Sequence, residues 1–360
     1  MKRAGGLFPQ IIDRDNLRLA FHKAFRGKQA RAEPRAFAAG LEANLARMAR
    51  KLDAETFAWG RFSQFVIRDP KERLITAPCF EERVAHHAVM NVCEPLLDRW
   101  LIADSFACRR GSGRIKAVER AAQYARRHGH FLKMDVRKYF DSIDHAELLV
   151  RLEKRFKDEK LLRLFRGVLA GYRPDSRVGL PIGSLMSQHF ANFYLGWFDR
   201  VVKDQWRVPG YARYMDDMAL WADDAGRLKT ALTDSHDWLS GQLHLTVKPD
   251  AHLNHTRHGM DFLGCRVFPD RVTLNARSRR RYRVKSRRLE AEYDQGVWSD
   301  RELQQRATAL AAFTTAAGVL SWRFRAGLIN RTTGAVTRLG PGGAGRELGQ
   351  QRQELPVGEP

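Results

Sequence analysis

Two adjacent aspartates, Asp216 and Asp217, constrain the fold of this chain more than any other feature. They lie inside an apolar and aromatic run, YARYMDDMALWADD (211–224). Adjacent carboxylates repel each other, and half-buried ones also lose hydration. The run predicts a strand, a tight turn and a second strand, with both aspartates at the turn. Either the pair forms an acidic turn in water, or a positive charge normally lies against it.

Composition limits the class of protein. The chain has 360 residues, 44% of them hydrophobic, which is enough for two or three compact units with a buried core. No apolar run approaches the ~20 residues that span a bilayer, and the start has no sustained apolar stretch, so we predict neither a membrane segment nor a signal peptide. The cysteines form no CxxC pair and no metal-finger spacing, which predicts a reduced, cytoplasmic protein. They are Cys79, Cys93, Cys108 and Cys265.

The net charge indicates a polyanionic partner. The chain has 63 Lys and Arg against 41 Asp and Glu, a formal charge of +22. Nucleic acid is the commonest polyanion that such a protein binds. A merely soluble basic protein is the alternative, but the excess charge is concentrated in RSRRRYRVKSRRLE (277–290) rather than spread evenly.

Hydrophobic periodicity and turn residues predict helices and strands in a mixed order. The first half of the chain is predicted to contain a helix over 36–52, two strands over 61–78 joined at Asp69-Pro70, and helices over 80–127 broken at 109–113. A strand ending at Asp135 follows, then a helix with a capping box of Asp144 and Glu147, and a Gly/Pro loop and helix over 178–200. Strands are predicted over 243–274, and helices beyond 275 with one apolar side formed by Leu303, Ala307, Leu310, Phe313 and Leu320. We therefore predict an α+β fold.

Three carboxylates are candidates for one site. Asp135 ends an apolar strand, and Asp216 and Asp217 belong to the hairpin. If these strands are neighbours in an antiparallel sheet, all three acids meet, and oxygen ligands of this kind suit Mg²⁺. Two such ions, ~3.5–4 Å apart, assist phosphoryl displacement. For any one acid, a solvated turn is an equally good interpretation, as we expect for Asp223 and Asp224.

These segments, taken together, resemble a reverse transcriptase over residues 60–330. FLKMDVRKYFDSID resembles the family's motif A, YMDD its catalytic turn, LTVKPD its motif D and MDFLGCRV its primer-gripping hairpin. The resemblance implies an RNA-directed DNA polymerase with a right-hand fold. It implies fingers and palm (61–274) and a basic helical thumb (275–330), after an N-terminal helical extension (1–60). The Gly-rich, polar composition of residues 331–360 predicts a disordered tail. The implied partners are template RNA, a cDNA or primer, and dNTPs.

The resemblance also implies roles for single residues. Asp135, Asp216 and Asp217, with Val136, would hold two Mg²⁺ ions, for which Mn²⁺ could substitute. Lys248 would donate a proton to pyrophosphate, and a surface lysine is its alternative interpretation. Phe140 falls at the sugar gate, where a bulky ring excludes a ribose 2′-OH; its alternative is core packing. The remaining implied nucleotide contacts are Lys71, Arg73, Ile182, Gly183 and Gln188.

Template and primer contacts are implied at three places. Arg109 and Arg110, in a Gly-rich loop, would contact template phosphates, with plain surface charge as the alternative. Phe262, Leu263 and Gly264 belong to the primer-gripping hairpin. The thumb would add Arg279, Arg280 and Arg281.

One stretch points to a subgroup of the family. Retrons and group II intron enzymes carry QGxxxSP in the Gly loop, whereas this chain has IGSLMSQ (182–188). This resembles diversity-generating retroelement reverse transcriptases, which make cDNA with errors at adenines and usually act with a small basic helical accessory protein. Because Ile182 cannot hydrogen-bond a nucleotide as Gln does, discrimination against wrong pairs should weaken. The alternative is that Ile182 only packs on the palm, without effect on fidelity.

Two other functions remain open. One is a reverse transcriptase of a phage-defence or other bacterial retroelement system. The other is an inactive palm that only binds RNA as a scaffold. The intact acid trio argues against a scaffold, because a palm without catalysis has no reason to keep mutually repulsive acids.

Overall fold

The computed structural model describes residues 2–68, 72–172, 176–312 and 314. They fall into two compact units, one ending at Arg279 and the other beginning at Arg280. The predicted thumb boundary at 275 stays a prediction, and the predicted tail lies outside the described residues. Within the described part of the chain, no helix combines the length and apolarity needed to cross a membrane.

Helices at the start of the first unit pack around one long helix, α5. They are α1 (Phe8–Ile12), α2 (Arg14–Phe25), α3 (Ala32–Ala39) and α4 (Leu41–Asp53), and α5 is Phe80–Trp100. The prediction of one helix over 36–52 is wrong at Gly40, which separates α3 from α4. The helical spacing is nevertheless correct within α4, where Leu45, Met48 and Leu52 are buried.

A four-stranded antiparallel sheet forms the centre of this unit. Its order is β4 (Gly210–Tyr214), β5 (Asp217–Ala222), β3 (His130–Asp135) and β6 (His252–His255). Because side chains alternate along a strand, Phe131 and Trp221 share one face and pack with helix α6 (Arg114–Arg127), while Leu132 and Leu220 face the main core. Asp135 lies on the same face as Phe131, at the end of its strand.

The remaining elements frame the sheet. β1 (Phe62–Arg68) and β2 (Glu72–Pro78) form a separate hairpin whose turn lies outside the described residues. The helices that follow β3 are α7 (Tyr139–Ser142), α8 (His145–Glu153), α9 (Glu159–Tyr172), α10 (Leu185–Arg200) and, after β5, α11 (Ala225–Leu243). A three-stranded sheet contains β7 (Met260–Phe262), β8 (Cys265–Val267) and β9 (Val272–Leu274).

The predicted capping box of α8 is confirmed in its N-cap half only. Asp144 Oδ1 accepts a hydrogen bond from Glu147 N at 3.0 Å, whereas the Glu147 carboxylate pairs with Arg151 rather than with Asp144 N. The α+β prediction and the predicted hairpin over 61–78 are confirmed.

The second unit contains most of α12 (Ala276–Asp294) and all of α13 (Asp300–Ala312). Leu289, Leu303 and Ala307 form its small apolar cluster, joined by Tyr293 and Trp298. The predicted apolar face is thus confirmed at Leu303 and Ala307; Phe313 and Leu320 lie outside the described residues.

Candidate active site

The strand register brings the predicted acids together. β3 and β5 pair antiparallel with Asp135 opposite Asp217, and Asp216 lies in the turn between β4 and β5. The prediction that both adjacent aspartates lie at the turn is wrong: the turn is Met215-Asp216, and Asp217 begins β5. Met215 has φ 59°, a left-handed conformation that makes the turn tight.

The acids are held in a costly environment. Burial, together with the charge of the neighbouring Asp135, raises the pKa of Asp216 to about 7. Burial also raises the pKa of Asp217 to about 6, against the opposing effect of Lys133. Among the described residues, Asp135 Oδ1 and Asp217 Oδ1 are buried without a hydrogen-bond partner. The acidic pair is therefore not a solvated turn, and it lies where an added cation would be stabilised.

Two lysines lie against these acids. Lys248 Nζ donates to Asp135 Oδ2 at 2.6 Å, and Lys248 N donates to Asp135 O at 2.8 Å. Burial alone would lower the pKa of Lys248, but the hydrogen bond to Asp135 and the negative charges of Asp135, Asp216 and Asp250 together outweigh burial, and the pKa is raised. Lys133 Nζ lies 3.5 Å from Asp217 Oδ1. Lys133 is not among the site residues predicted from the sequence. Its position two residues before Asp135 on a strand could have revealed it.

The acids fit a divalent cation that takes part of its shell from elsewhere. Within the described residues, no three acidic, thiol or imidazole groups converge closely enough to enclose a metal ion. Mg²⁺ is usually bound by one or two carboxylates and completes its octahedron with water and substrate phosphates. Asp135 and Asp216 suit that role, because both are half-buried and their carboxylates lie close to each other. Val136 is fully buried and bridges to Val247 beside them.

The Gly loop contacts strand β2 and the segment that contains Phe140. Thr76 N donates to Ile182 O at 2.8 Å, and Leu180 N donates to Phe140 O at 2.7 Å. Gly183 has φ 120°, and a Cβ there would lie 2.8 Å from Ile75 Cγ2. Only glycine fits this position without strain, because the loop touches strand β2. Backbone hydrogen bonds therefore connect the Gly loop both to strand β2 and to the segment that contains Phe140.

The other predicted nucleotide residues lie around this loop. Arg73 is exposed and lies on the same face of β2 as Ile75, since the two are separated by one residue. Phe140 is half-buried against the core. Gln188 is exposed, and Cys108 Sγ lies 3.8 Å from its Oε1. Lys71 lies outside the described residues. Their roles stay predictions.

Arg109 has a structural role instead of the predicted template contact. Its Nε donates to Asp98 Oδ1 at 2.5 Å, and one terminal nitrogen donates to Ile102 O and Ser105 O. A guanidinium engaged in this way holds the loop after α5 and is not available to phosphate. Arg110 is exposed, 3.7 Å from Glu94 Oε1, and its template contact stays a prediction.

The predicted primer-gripping hairpin is present. Leu263 and Gly264 both have positive φ, 49° and 81°, between β7 and β8, as in the two-residue turns that match strand twist. Phe262 is fully buried, so its side chain anchors the hairpin and cannot touch a primer as implied. Arg114 donates to Leu263 O at 2.9 Å.

The predicted thumb arginines begin helix α12. Arg279 and Arg280 are exposed, and Arg281 is half-buried. Their contacts with a nucleic acid stay predictions.

The antiparallel sheet brings two strand-end acids and an adjoining turn acid together, an arrangement that resembles the palm of template-directed nucleic-acid polymerases. Residues 68–267, more than half of the chain, match the family described as reverse transcriptase (RNA-dependent DNA polymerase). The protein belongs to that family, and the right-hand polymerase prediction is confirmed.

Curated relatives are similar over short segments. The chain is 35% identical over 80 residues to an uncharacterized 91 kDa protein in the cob intron of Schizosaccharomyces pombe, covering 21% of this chain and 10% of that protein. It is 27% identical over 141 residues to the group II intron-encoded protein LtrA of Lactococcus lactis subsp. cremoris, covering 37% and 23%. The matches thus span a quarter or less of these relatives.

A solved structure has a similar fold. The apo telomerase of Candida tropicalis aligns with 77% of this chain and 58% of its own, at a TM-score of 0.50 and 10% identity. At this identity the similarity concerns the fold alone.

Proposed function

We propose that this protein is an RNA-directed DNA polymerase that extends a primer on an RNA template. The observation that carries the proposal is the register that sets Asp135 opposite Asp217 with the half-buried Asp216 in the adjoining turn. In the reaction the primer 3′-oxygen bonds to the α-phosphorus of a dNTP, the bond to pyrophosphate breaks, and the hydroxyl proton passes to water. Bound Mg²⁺ ions, or Mn²⁺, would activate the attacking oxygen and stabilise the leaving one.

The surrounding residues have proposed roles in the same step. Asp135, Asp216 and the main chain at Val136 would hold the ions, and Asp217, which pairs with Lys133, would assist. Lys248, whose pKa is raised, is protonated at neutral pH and gives its proton to pyrophosphate. Lys71 and Arg73 hold the triphosphate through charge-assisted contacts.

We further propose that the enzyme belongs to a diversity-generating retroelement. The IGSLMSQ stretch supports this, because its apolar Ile182 lies on the loop that is tied to β2 and Phe140. Template RNA and its cDNA would be the substrates, with a small basic helical protein as accessory partner. The named relatives are intron-encoded, which favours another retroelement system as the alternative, but Ile182 and Gln188 depart from the intron enzymes' pattern.

Primer extension by the purified protein tests the polymerase proposal. Incorporation of dNTPs on an RNA template, dependent on Mg²⁺ or Mn²⁺, is expected; RNA binding without incorporation would establish the scaffold alternative instead. The retroelement proposal has a separate test in the neighbouring DNA. A nearly repeated segment whose copies differ mainly at adenines is expected beside the gene, and its absence would favour the other bacterial systems.

A further inference from the structure

A fully buried ion pair lies beneath the catalytic turn and has no part in the chemistry proposed above. Arg213 on β4 and Asp199 on α10 both have no exposed surface. Two nitrogens of Arg213 donate to the two carboxylate oxygens of Asp199, each at 2.6 Å. Tyr211 also donates its hydroxyl proton to Asp199, at 2.7 Å. This bidentate geometry fixes the plane of the guanidinium.

The rest of the guanidinium connects other segments. One terminal nitrogen donates to Asn192 Oδ1 and to Met215 O, both at 2.9 Å. The other donates to Ser105 Oγ at 2.9 Å and to Asn192 O at 3.1 Å. Arginine has five N–H donors in a rigid fork, and lysine cannot reproduce this set. One side chain thus joins helix α10, the segment after α5 and the catalytic turn.

The bond to Met215 matters because that residue is strained. Met215 has φ 59°, a conformation that residues with a Cβ adopt only when neighbouring structure holds them there. Its carbonyl belongs to the peptide that leads directly into Asp216. Rotation of this peptide would turn Asp216 away from Asp135, and the Arg213 N–H opposes that rotation.

We infer that Arg213 is a positioning residue that holds the catalytic turn in the conformation that presents Asp216 to the metal ions. The inference rests on the proposed polymerase function. Helix α10 extends the connection, since Ser184 caps its start beside Ile182 and Gly183, while Asn192 and Asp199 lie further along it. The nucleotide-facing loop and the catalytic turn are therefore both held in place by contacts with helix α10.

Two variants separate positioning from simple stabilisation. Arg213→Lys keeps the charge and loses the fork. Removing Arg213 alone would leave the buried carboxylate of Asp199 without its positive partner. The second variant, Arg213→Met with Asp199→Asn, therefore removes both charges. The amide oxygen introduced by Asp199→Asn can still accept the hydrogen bond from the Tyr211 hydroxyl. Each purified protein is assayed for its thermal midpoint, for Mn²⁺ affinity by the electron paramagnetic resonance signal of free Mn²⁺ without nucleic acid, and for kcat and dNTP KM in primer extension.

Both variants should bind Mn²⁺ several-fold more weakly and lose about 10- to 100-fold in kcat, because misplacement of a reacting group by about 1 Å costs as much as 100-fold. The dNTP KM should change little, since the triphosphate contacts lie on other elements. Arg213→Met alone is made as a reference. The double variant should recover the thermal midpoint that this single variant loses, without recovering Mn²⁺ affinity or kcat.

Arg151→Lys is the matched control. Arg151 is also buried, pairs with Glu147 and donates to Gln242 O at 2.7 Å, away from the catalytic turn. Its substitution should lower the thermal midpoint and leave Mn²⁺ affinity unchanged. Parental Mn²⁺ affinity and kcat in folded Arg213 variants would overturn the inference. If the parent protein extends no primer, the polymerase proposal fails, and the Mn²⁺ affinities still decide whether Arg213 positions the turn.

Discussion

At Asp216, burial and the neighbouring Asp135 both oppose the charged form of the carboxylate. Asp216→Asn keeps its size and removes a charge from a proposed metal ligand, so primer extension should fall by about 100-fold or more. Asp223→Asn removes an exposed carboxylate from the same hairpin's exit and serves as the control. Full extension by Asp216→Asn would contradict the site assignment.

The same substitution makes a prediction about pH. The pKa of Asp216 is raised to about 7 from its ordinary 3.8, so the folded protein carries a buried negative charge above pH 7 and a neutral acid at pH 5. Because the unfolded chain ionises near pH 3.8 and the folded chain near pH 7, Asp216 costs stability progressively as pH rises from about 4 to 7, and the full cost is present above 7. Without metal, Asp216→Asn should therefore raise the thermal midpoint more at pH 8 than at pH 5. Equal shifts at both values would mean that charge relief is not the cause.

Phe140 should act on the sugar of the incoming nucleotide. Phe140→Ala opens space where a 2′-OH would lie, so rNTP use relative to dNTP use should rise. The ratio of the two kcat/KM values measures this. A fully buried Phe→Ala change costs about 3–5 kcal/mol of stability, and substitution of the half-buried Phe140 should cost less, so the thermal midpoint is followed in parallel. Loss of both activities with no gain in the ratio would establish core packing as its role.

Ile182 should influence fidelity. One hydrogen bond made only by correct pairs is worth about 0.5–1.5 kcal/mol, or up to about tenfold in selectivity. Ile182→Gln should lower misincorporation opposite template adenine more than opposite other bases, as measured by sequencing cDNA from one template. Ile182→Val is the control that stays apolar. Identical error spectra for Gln and parent would assign Ile182 to packing.

At the scale of elements, the Gly loop depends on its contact with β2. Gly183→Ala places a Cβ against Ile75, at a backbone φ of 120° that alanine adopts only with strain. We therefore expect a stability loss of about 1–3 kcal/mol and a raised dNTP KM. Gly241→Ala is the matched control, because nothing lies within 4 Å of a Cβ there and helix α11 favours alanine by about 0.5–1 kcal/mol. An unchanged dNTP KM in Gly183→Ala would mean that the Gly loop does not contribute to nucleotide binding.

At the scale of the whole molecule, the charge of +22 should dominate RNA binding. Each phosphate neutralised on a single strand adds about −0.7 to the slope of log K against log salt. Replacing Arg279, Arg280 and Arg281 by Gln should flatten the slope by up to about 2 and weaken all RNA sequences alike. Filter binding across salt concentrations measures it.

The matched control for that experiment removes the same charge elsewhere. Arg35, Arg47 and Arg50 are exposed on the N-terminal helices, and their replacement by Gln should change the slope less. Equal slopes for the two triple variants would mean that net charge alone, and not the basic start of α12, sets RNA affinity.

The acids, the hairpin strands, the cap of α8 and the helical faces could all be predicted from the sequence. Each depends on local physics: strand alternation, the spacing of apolar residues along a helix, and side chains that bond to backbone a few residues away. The antiparallel meeting of Asp135 with Asp217 also followed, once the two strands were taken as neighbours. Family motifs supplied the order in which these parts assemble.

The roles of other residues were decided only by the tertiary structure. Arg109 and Phe262 occur in the expected motifs, yet burial and internal hydrogen bonds give them structural roles. Arg213 is one residue of an apolar strand in the sequence, and its importance depends on Asp199 and Asn192, 14 and 21 positions away. Whether a charged side chain faces solvent, phosphate or a buried partner depends on which distant segments surround it, and those contacts are formed only when the chain folds.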